Sequence, residues 1–250
     1  MTESADFAAA DAATTQPAKT PSFWEDAVEI FVHPADVMRR RADGSVWPPL
    51  LFVTIAIGVI TFATYNLIVP IMEAEFARNT AKVLAKNPQL TQEMMDKQRD
   101  MAVNFGKYIV PVFLALTMFV LGIFTWLVSK LVSAKTTFNQ ALVIAAWAYF
   151  PRIIGSIATA VQGLVLDQSK LTSQLAVSLS PARFLDPDAA NPLVYQLLGR
   201  FDLITIWVTI LLAVGVFVTG KVTKGQAIAF GVLIFVIGAL PALRSGYMMM

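Results

Sequence analysis

The chain has 250 residues, of which 56% are hydrophobic and 14% are charged, and its formal net charge is +2. Soluble domains carry about 25% charged residues, and a net charge this small excludes a typical nucleic-acid-binding protein. The lack of cysteine excludes disulfides, and the single histidine, His33, excludes zinc sites of the usual nitrogen and sulfur type. The composition therefore favours a membrane protein.

The N-terminal region divides into a tail and an amphipathic segment. Residues 1–21 are rich in alanine, threonine, serine and aspartate without periodicity, which predicts a disordered tail. Residues 22–46 carry apolar side chains near helical spacing, which predicts a cytoplasmic or interfacial amphipathic helix. A helix that binds a protein partner or caps the bundle is the alternative. Trp24, Phe31 and Trp47 are the candidate interfacial or partner-binding residues.

Five long uncharged stretches lie between the charged segments, and we predict that each crosses the membrane. They cover residues 47–72, 108–129, 138–166, 203–219 and 226–243. Because lipid offers the backbone no hydrogen bonds, these spans should be α-helices, and their uninterrupted apolar character argues against a β-barrel. The predicted fold is all-α: a polytopic membrane domain of about five transmembrane helices over residues 47–250.

The segments between the spans predict further helices. Residues 73–107 read as an extramembrane helical hairpin, in which Asn87 and Pro88 supply the N-cap and first position of the second helix. A solvated loop with helical propensity is the alternative. Residues 167–200 contain three prolines, which predicts an irregular loop with a short helix before Phe201.

Lysine and arginine near the span ends predict the orientation. With five spans, three basic segments lie on one side of the membrane, and we expect that side to be cytoplasmic. The N-terminus then lies in the cytoplasm and the C-terminus outside. The basic residues are Arg39, Arg40, Arg41, Lys130, Lys135, Lys221 and Lys224.

No motif of a catalytic class is present: the sequence lacks HExxH, GxSxG, a P-loop and GxGxxG. We therefore predict no catalytic residue, no cofactor and no metal site, and a membrane enzyme is the weakest class. His33, beside Pro34 in the N-terminal segment, is interpreted as a surface residue.

Arg152, near the middle of the third span, is the strongest functional candidate. A guanidinium near the bilayer centre costs several kcal/mol unless it is paired or hydrated. Contact with an anion, a lipid headgroup or a proton path is one interpretation; a structural partner or snorkelling is the other. Tyr149 and Pro151 could mark a broken helix that exposes carbonyl groups. Asp202 opens the fourth span and is interpreted first as a helix cap and second as a partner of Arg152.

Small residues recur every four positions in the third span, at Gly155, Thr159 and Gly163. Such a row lets helices approach closely. It predicts a central helix, and we favour internal packing over a homodimer face.

The order of several motifs resembles the Yip1 domain family over about residues 22–243. An N-terminal amphipathic segment precedes a Trp-Pro-Pro element at 47–49, and an Ala-rich Tyr-Phe-Pro element ends at Pro151. An Asp-x-x-x-x-Trp pattern joins Asp202 to Trp207, and a basic connector follows. The resemblance implies a five-helix membrane domain with a cytosolic N-terminus. Eukaryotic members of the family look like trafficking factors that interact with Rab-type GTPases, whereas this chain looks closer to bacterial members of the inner membrane.

Two functional hypotheses follow. The first is a non-enzymatic membrane scaffold or organising, trafficking-related factor that acts through protein partners or a second copy, with the lipid bilayer around it. The second is a transporter of small solutes, ions or lipids, or a scramblase, centred on Pro151 and Arg152. The sequence favours the first, because the span interiors hold few ionisable groups.

Overall fold

The structure is a computed structural model that describes residues 21–87, 89–167 and 171–248, and its helices account for most of them. The predicted tail at residues 1–21 lies outside this part except for Pro21. The helices are α1 (Phe23–Glu29), α2 (Pro34–Arg41), α3 (Trp47–Lys86), α4 (Gln92–Leu131), α5 (Phe138–Ala148), α6 (Pro151–Val165), α7 (Pro192–Arg200), α8 (Leu203–Gly220), α9 (Lys224–Ile237) and α10 (Leu240–Met248). Short 3-10 turns follow α6 at Gln174–Val177 and Pro181–Phe184.

Five helical stretches in the described part of the chain are long and apolar enough to cross a membrane, which confirms the predicted all-α, five-span architecture. They are Trp47–Thr80, Gln92–Leu131, Phe138–Val165, Leu203–Gly220 and Lys224–Tyr247. The third consists of α5 and α6 together, and the fifth consists of α9 and α10.

Helices α3 and α4 pack against each other as a long antiparallel pair. Each has 40 residues and is therefore about 60 Å long, roughly twice the thickness of a hydrocarbon layer. The hydroxyl of Tyr65 donates to the carbonyls of Ala102 and Val103 at 2.8 Å, which joins the two helices beyond the membrane boundary of α4. The predicted start of the second helix at Asn87 is wrong: Asn87 ends α3, and Thr91 caps α4 because its hydroxyl accepts from the Met94 amide. Pro88 lies outside the described residues.

The third span breaks at Tyr149 and Phe150, between α5 and α6. Proline has no amide hydrogen and its ring clashes with the carbonyl four residues earlier, so Pro151 cannot continue α5. The amides of Tyr149 and Phe150 instead bond three residues back, to Ala146 and Trp147, and Pro151 starts α6 at its first position. This break is the kink that the sequence predicts.

Helix α5 is the centre of the bundle. Seven of its eleven residues are buried, and α3, α4, α8 and α2 pack around it. On α8, Gly215 allows this packing, since a Cβ there would lie 2.4 Å from the Ile144 side chain. The small residues of α6 also serve internal contacts, because Gly155 faces Ile204 on α8 and Gly163 faces Leu67 on α3.

Helices α1 and α2 form an N-terminal unit that packs into the bundle rather than standing apart from it. Ile30, Val37 and Met38 are fully buried, and α2 lies along α8. The segment after α2 meets the start of α5, where the Gln140 amide donates to the Asp43 carboxylate at 2.8 Å. The end of the N-terminal unit therefore lies on the same side as the α4–α5 and α8–α9 connectors, which we call the basic side, and Phe31 reaches Trp207 in the second turn of α8. The opposite side is the far side.

Leucine in place of Gly215 should destabilise the protein, because overpacking a tight core costs about 1–3 kcal/mol. We expect the midpoint of thermal unfolding, followed by tryptophan fluorescence in detergent, to fall by roughly 2–12 °C. Gly225→Ala is the matched control, because a Cβ at Gly225 meets open space except for the Thr223 hydroxyl at 3.9 Å. Equal midpoints for the two variants would contradict the packing.

Candidate functional site: the Arg152 cavity and the N-terminal unit

Arg152 is the second residue of α6, and the break at Pro151 directs it toward the first turn of α8. Its Nη2 donates to the Thr205 hydroxyl at 2.9 Å, and its guanidinium lies 5.8 Å from the centre of the Tyr149 ring. Its Nε is buried and has no hydrogen-bond partner among the described residues. Because a guanidinium has five N–H donors, Thr205 satisfies only part of it.

Asp202 caps α8 and reaches Arg152 only through Thr205. One carboxylate oxygen accepts from the Thr205 amide at 3.1 Å, and the other accepts from the Leu179 amide at 2.9 Å. The Thr205 hydroxyl lies 3.5 Å from the first of these oxygens. Asp202 is thus the N-cap of α8, as its first interpretation has it. Within the described residues, its carboxylate forms no direct ion pair with Arg152.

A second guanidinium, that of Arg200 at the end of α7, adds positive charge near Arg152. Burial, and after it the charge of Arg152, lower the pKa of Arg200 from its ordinary value. Arg200 stacks on the Phe235 ring at 4.8 Å and donates to the Phe235 carbonyl. Two arginines and one carboxylate therefore leave this region with an excess of positive charge.

Arg152 and Asp202 line a cavity of about 410 Å³ between α3, α4, α6, α8 and the Gln174–Val177 turn. A volume of this size lies within the range of small-molecule sites. Hydroxyl side chains form one part of the cavity wall, and apolar side chains of α3 form another. The polar lining includes Thr61, Thr64, Ser156, Thr159 and Ser178; the apolar lining includes Ile60, Ile68, Ile71 and Met72.

The cavity lies near the far-side ends of the uncharged stretches of α4 and α8. Its lining includes Gly106, next to Lys107, which directly precedes the uncharged stretch of α4. Asp202 likewise precedes α8, whose 18 residues extend about 27 Å to the basic side. Arg152 is central within its own span because α6 continues about 20 Å beyond it. Arg152 nevertheless lies beside the residues at which the uncharged stretch of α8 begins.

The N-terminal unit contains a charged cluster that sequence reasoning missed. Asp26 is fully buried, and its two carboxylate oxygens accept from Arg40 Nη2 and Arg41 Nε, each at 2.5 Å. Arg40 also pairs with Glu29, and Arg41 donates to the Pro21 carbonyl at 2.7 Å. The available signal was an acidic residue, Asp26, in the helix that precedes the run of three arginines at 39–41.

The remaining candidate residues fall in two places. Tyr149, Pro151, Arg152 and Asp202 come together, whereas Trp207 lies on another face of α8, with its ring 5.4 Å from that of Phe31. Trp24 is 65% exposed, although its ring meets Phe52 edge to face. Trp47 is also exposed and contacts Phe119.

These features define an all-α integral membrane protein with five spans, an inserted N-terminal unit and a cavity that Arg152 and Asp202 line. A family model, the Yip1 domain, matches residues 28–243, which is nearly the whole chain. The chain therefore belongs to the Yip1 domain family, as the order of motifs indicates, and this is not known as a family of enzymes. Neither a curated protein nor a solved structure matches the chain.

Asparagine in place of Asp26 should destabilise the N-terminal unit, because it leaves two arginines beside a buried neutral side chain. Breaking a buried ion pair lowers the free energy of unfolding by about 3–5 kcal/mol. Because both arginines are partly exposed, we expect a loss of about 3 kcal/mol. Thermal unfolding and the rate of tryptic cleavage after residues 39–41 measure the effect. Asp36→Asn, which removes an exposed pair with Arg39, should cost below about 1 kcal/mol. Equal cleavage rates for the two variants would contradict the role of Asp26.

Proposed function

We propose that this chain is a non-enzymatic membrane-organising protein that binds an anionic lipid headgroup in the Arg152 cavity. The observation that supports the proposal is a guanidinium with one hydrogen-bond acceptor among the described residues, at the wall of a cavity beside a membrane boundary. A protein that only needed to bury Arg152 would pair it with a carboxylate. Here the carboxylate of Asp202 is committed to two backbone amides.

The cavity chemistry favours a phosphate group. Arginine suits phosphate because its planar donors match two phosphate oxygens, and bonds between charged partners are short and strong. The hydroxyl of Thr159, also in the lining, adds a neutral polar group to the cavity wall. An apolar wall formed by α3 favours a ligand with an attached hydrocarbon over a free ion.

The basic side is proposed to face the cytoplasm, in agreement with the distribution of lysine and arginine. In that orientation the Arg152 cavity opens to the outer leaflet. Because this chain resembles bacterial Yip1 proteins, this membrane is proposed to be the inner membrane of a bacterial cell.

The test measures lipid binding by the rise in the unfolding midpoint of the purified protein in neutral detergent. Short-chain phosphatidylglycerol should raise the midpoint more than phosphatidylcholine with the same chains. Arg152→Gln should weaken binding by about tenfold or more, because a hydrogen bond to a charged group contributes about 1.5–3 kcal/mol. Arg99→Gln is the matched control, since Arg99 is an exposed arginine of α4 that pairs with its neighbour Asp100.

Two results would overturn the proposal: equal stabilisation by the two lipids, or unchanged affinity in Arg152→Gln. Glycerol phosphate and inorganic phosphate serve as further arms. If either matches phosphatidylglycerol, the ligand is a soluble anion, and the proposed lipid specificity is wrong.

A protein scaffold is the second candidate, and the surface of α1 favours it. Trp24 and Val28, with Val32 just beyond the helix, form an exposed apolar row on a unit that the Asp26 cluster holds in place. The expected partner is a protein that presents an apolar surface on the basic side. An interfacial lipid contact is the competing occupant.

A photocrosslinking residue at Val28 separates these occupants. A protein partner should give one discrete, saturable protein adduct that Trp24→Ala reduces at least several-fold. The matched control is the same residue at Val59, an exposed apolar position on α3. If Val28 and Val59 give only the same lipid adducts in native membranes, the scaffold function through α1 is rejected.

A further inference from the structure

A second surface, on the outside of α8 and α9, has the shape and charge of a lipid site that is separate from the Arg152 cavity. The two helices form a groove of about 650 Å³ whose lining is almost wholly apolar. Thr209 contributes no free polar group, because its hydroxyl donates to the Thr205 carbonyl at 2.8 Å. The groove is therefore suited to a hydrocarbon chain.

Small residues create the groove. At its floor α8 and α9 approach closely, since a Cβ on Gly231 would lie 3.3 Å from that of Ala213. Larger side chains of both helices stand around this floor and are exposed, among them Ile210 and Val232. The depression therefore follows from the alternation of small and large residues along two helices that are joined by a three-residue connector.

The groove is long enough for one acyl chain. Along α9 it extends from Lys224 to Phe235, a rise of eleven residues or about 16 Å. Its other end lies at Phe201, just before α8, and the Phe201 ring is 5.4 Å from that of Phe235. One leaflet of a hydrocarbon layer about 30 Å thick is about 15 Å deep, so the groove can hold the full length of a chain from the basic-side leaflet.

Positive charge marks the basic-side end of the groove. Lys224 lines it, and Lys221 is in the connector immediately before α9. In the part of the chain that the structure describes, neither lysine forms a salt bridge. Each basic residue near an anionic membrane surface contributes about 1 kcal/mol of attraction. The headgroup that completes this site is therefore anionic.

We propose that the α8–α9 groove holds one acyl chain of an anionic phospholipid of the basic-side leaflet, with its phosphate beside Lys221 and Lys224. The site is independent of the proposed function, since it uses other residues and the opposite leaflet. It gives the protein a bound lipid on the face that α8 and α9 present to the bilayer.

The experiment counts and ranks lipids that remain bound to the full chain in native mass spectrometry. Arg152→Gln is the background for all variants, so that the cavity contributes no headgroup selectivity. Phosphatidylglycerol should be retained over phosphatidylcholine with identical chains, and Lys221→Gln with Lys224→Gln should remove that preference. The expected loss is about fivefold in affinity for each lysine.

Filling the groove tests the acyl chain separately from the headgroup. Val232→Trp should reduce retention of both lipids at this site at least several-fold, because the indole occupies the groove. Val236→Trp is the matched control: it lies one turn further along α9, is 57% exposed against 58% for Val232, and does not line the groove.

Several outcomes would overturn the proposal. Equal retention of the two lipids in the Arg152→Gln background would show that the lysines select no headgroup. Equal loss in Val232→Trp and Val236→Trp would show that the groove holds no chain. A shift from dimer to monomer in Val232→Trp with unchanged lipid retention would assign the groove to a second copy. Loss of phosphatidylglycerol selectivity through Arg152→Gln alone would support the cavity and reject the groove.

Discussion

The break in the third span at Pro151 is the constraint on which the rest of the structure depends. Because proline cannot continue α5, the chain restarts as α6, and Arg152 comes to lie in the first turn of the new helix. The first turn of α8 meets Arg152 there, since α8 is just long enough to cross from the basic side. A continuous helix would keep the bundle but would not bring a cap carboxylate, a threonine and an arginine to one level.

The charged groups around Asp26 and around Arg152 differ in how far hydrogen bonds and ion pairs compensate the burial of charge. Asp26 is fully buried, but both its carboxylate oxygens form ion pairs, one with Arg40 and one with Arg41. These pairs compensate the burial of its charge and hold α1 against α2. The guanidinium of Arg152 donates to a single hydroxyl, that of Thr205, and its Nε has no hydrogen-bond partner among the described residues. The ion pairs of Asp26 thus stabilise the packing of α1 on α2, whereas Arg152 keeps N–H donors that a ligand could use. This contrast is the reason to place function at Arg152.

Much of the fold could be predicted from the sequence because the hydrocarbon layer imposes a simple rule on composition. Uncharged stretches gave the number and order of the spans, and Pro151 gave the kink. Exact helix ends were less accessible, since Thr91 and Asn87 are both good caps and only the packing of α4 on α3 decides between them.

The cavity and the Asp26 cluster could be predicted only in part, because both depend on contacts between distant segments. Sequence reasoning identified Arg152 and Asp202 but not Thr205, the residue that links them, since a threonine in an apolar helix carries no distinguishing signal. It proposed Phe31 as an interfacial or partner-binding residue, and in the structure the Phe31 ring packs on Trp207. Amphipathic spacing shows that a face is apolar without showing whether lipid, a partner or the chain's own α8 covers it.

The far-side segments hold the wall of the Arg152 cavity in place. The extension of α3 beyond the membrane boundary holds the segment after α6 through Glu75, which accepts from the Gln174 amide at 2.7 Å. Gln162 on α6 donates to the Val177 carbonyl at 3.0 Å, and Asp202 accepts from Leu179. The turn that closes the cavity is thus tied to three separate helices by polar bonds. Such bonds fix the wall of a cavity without filling it, so the residues that extend α3 and follow α6 keep open the volume that Arg152 and Asp202 line.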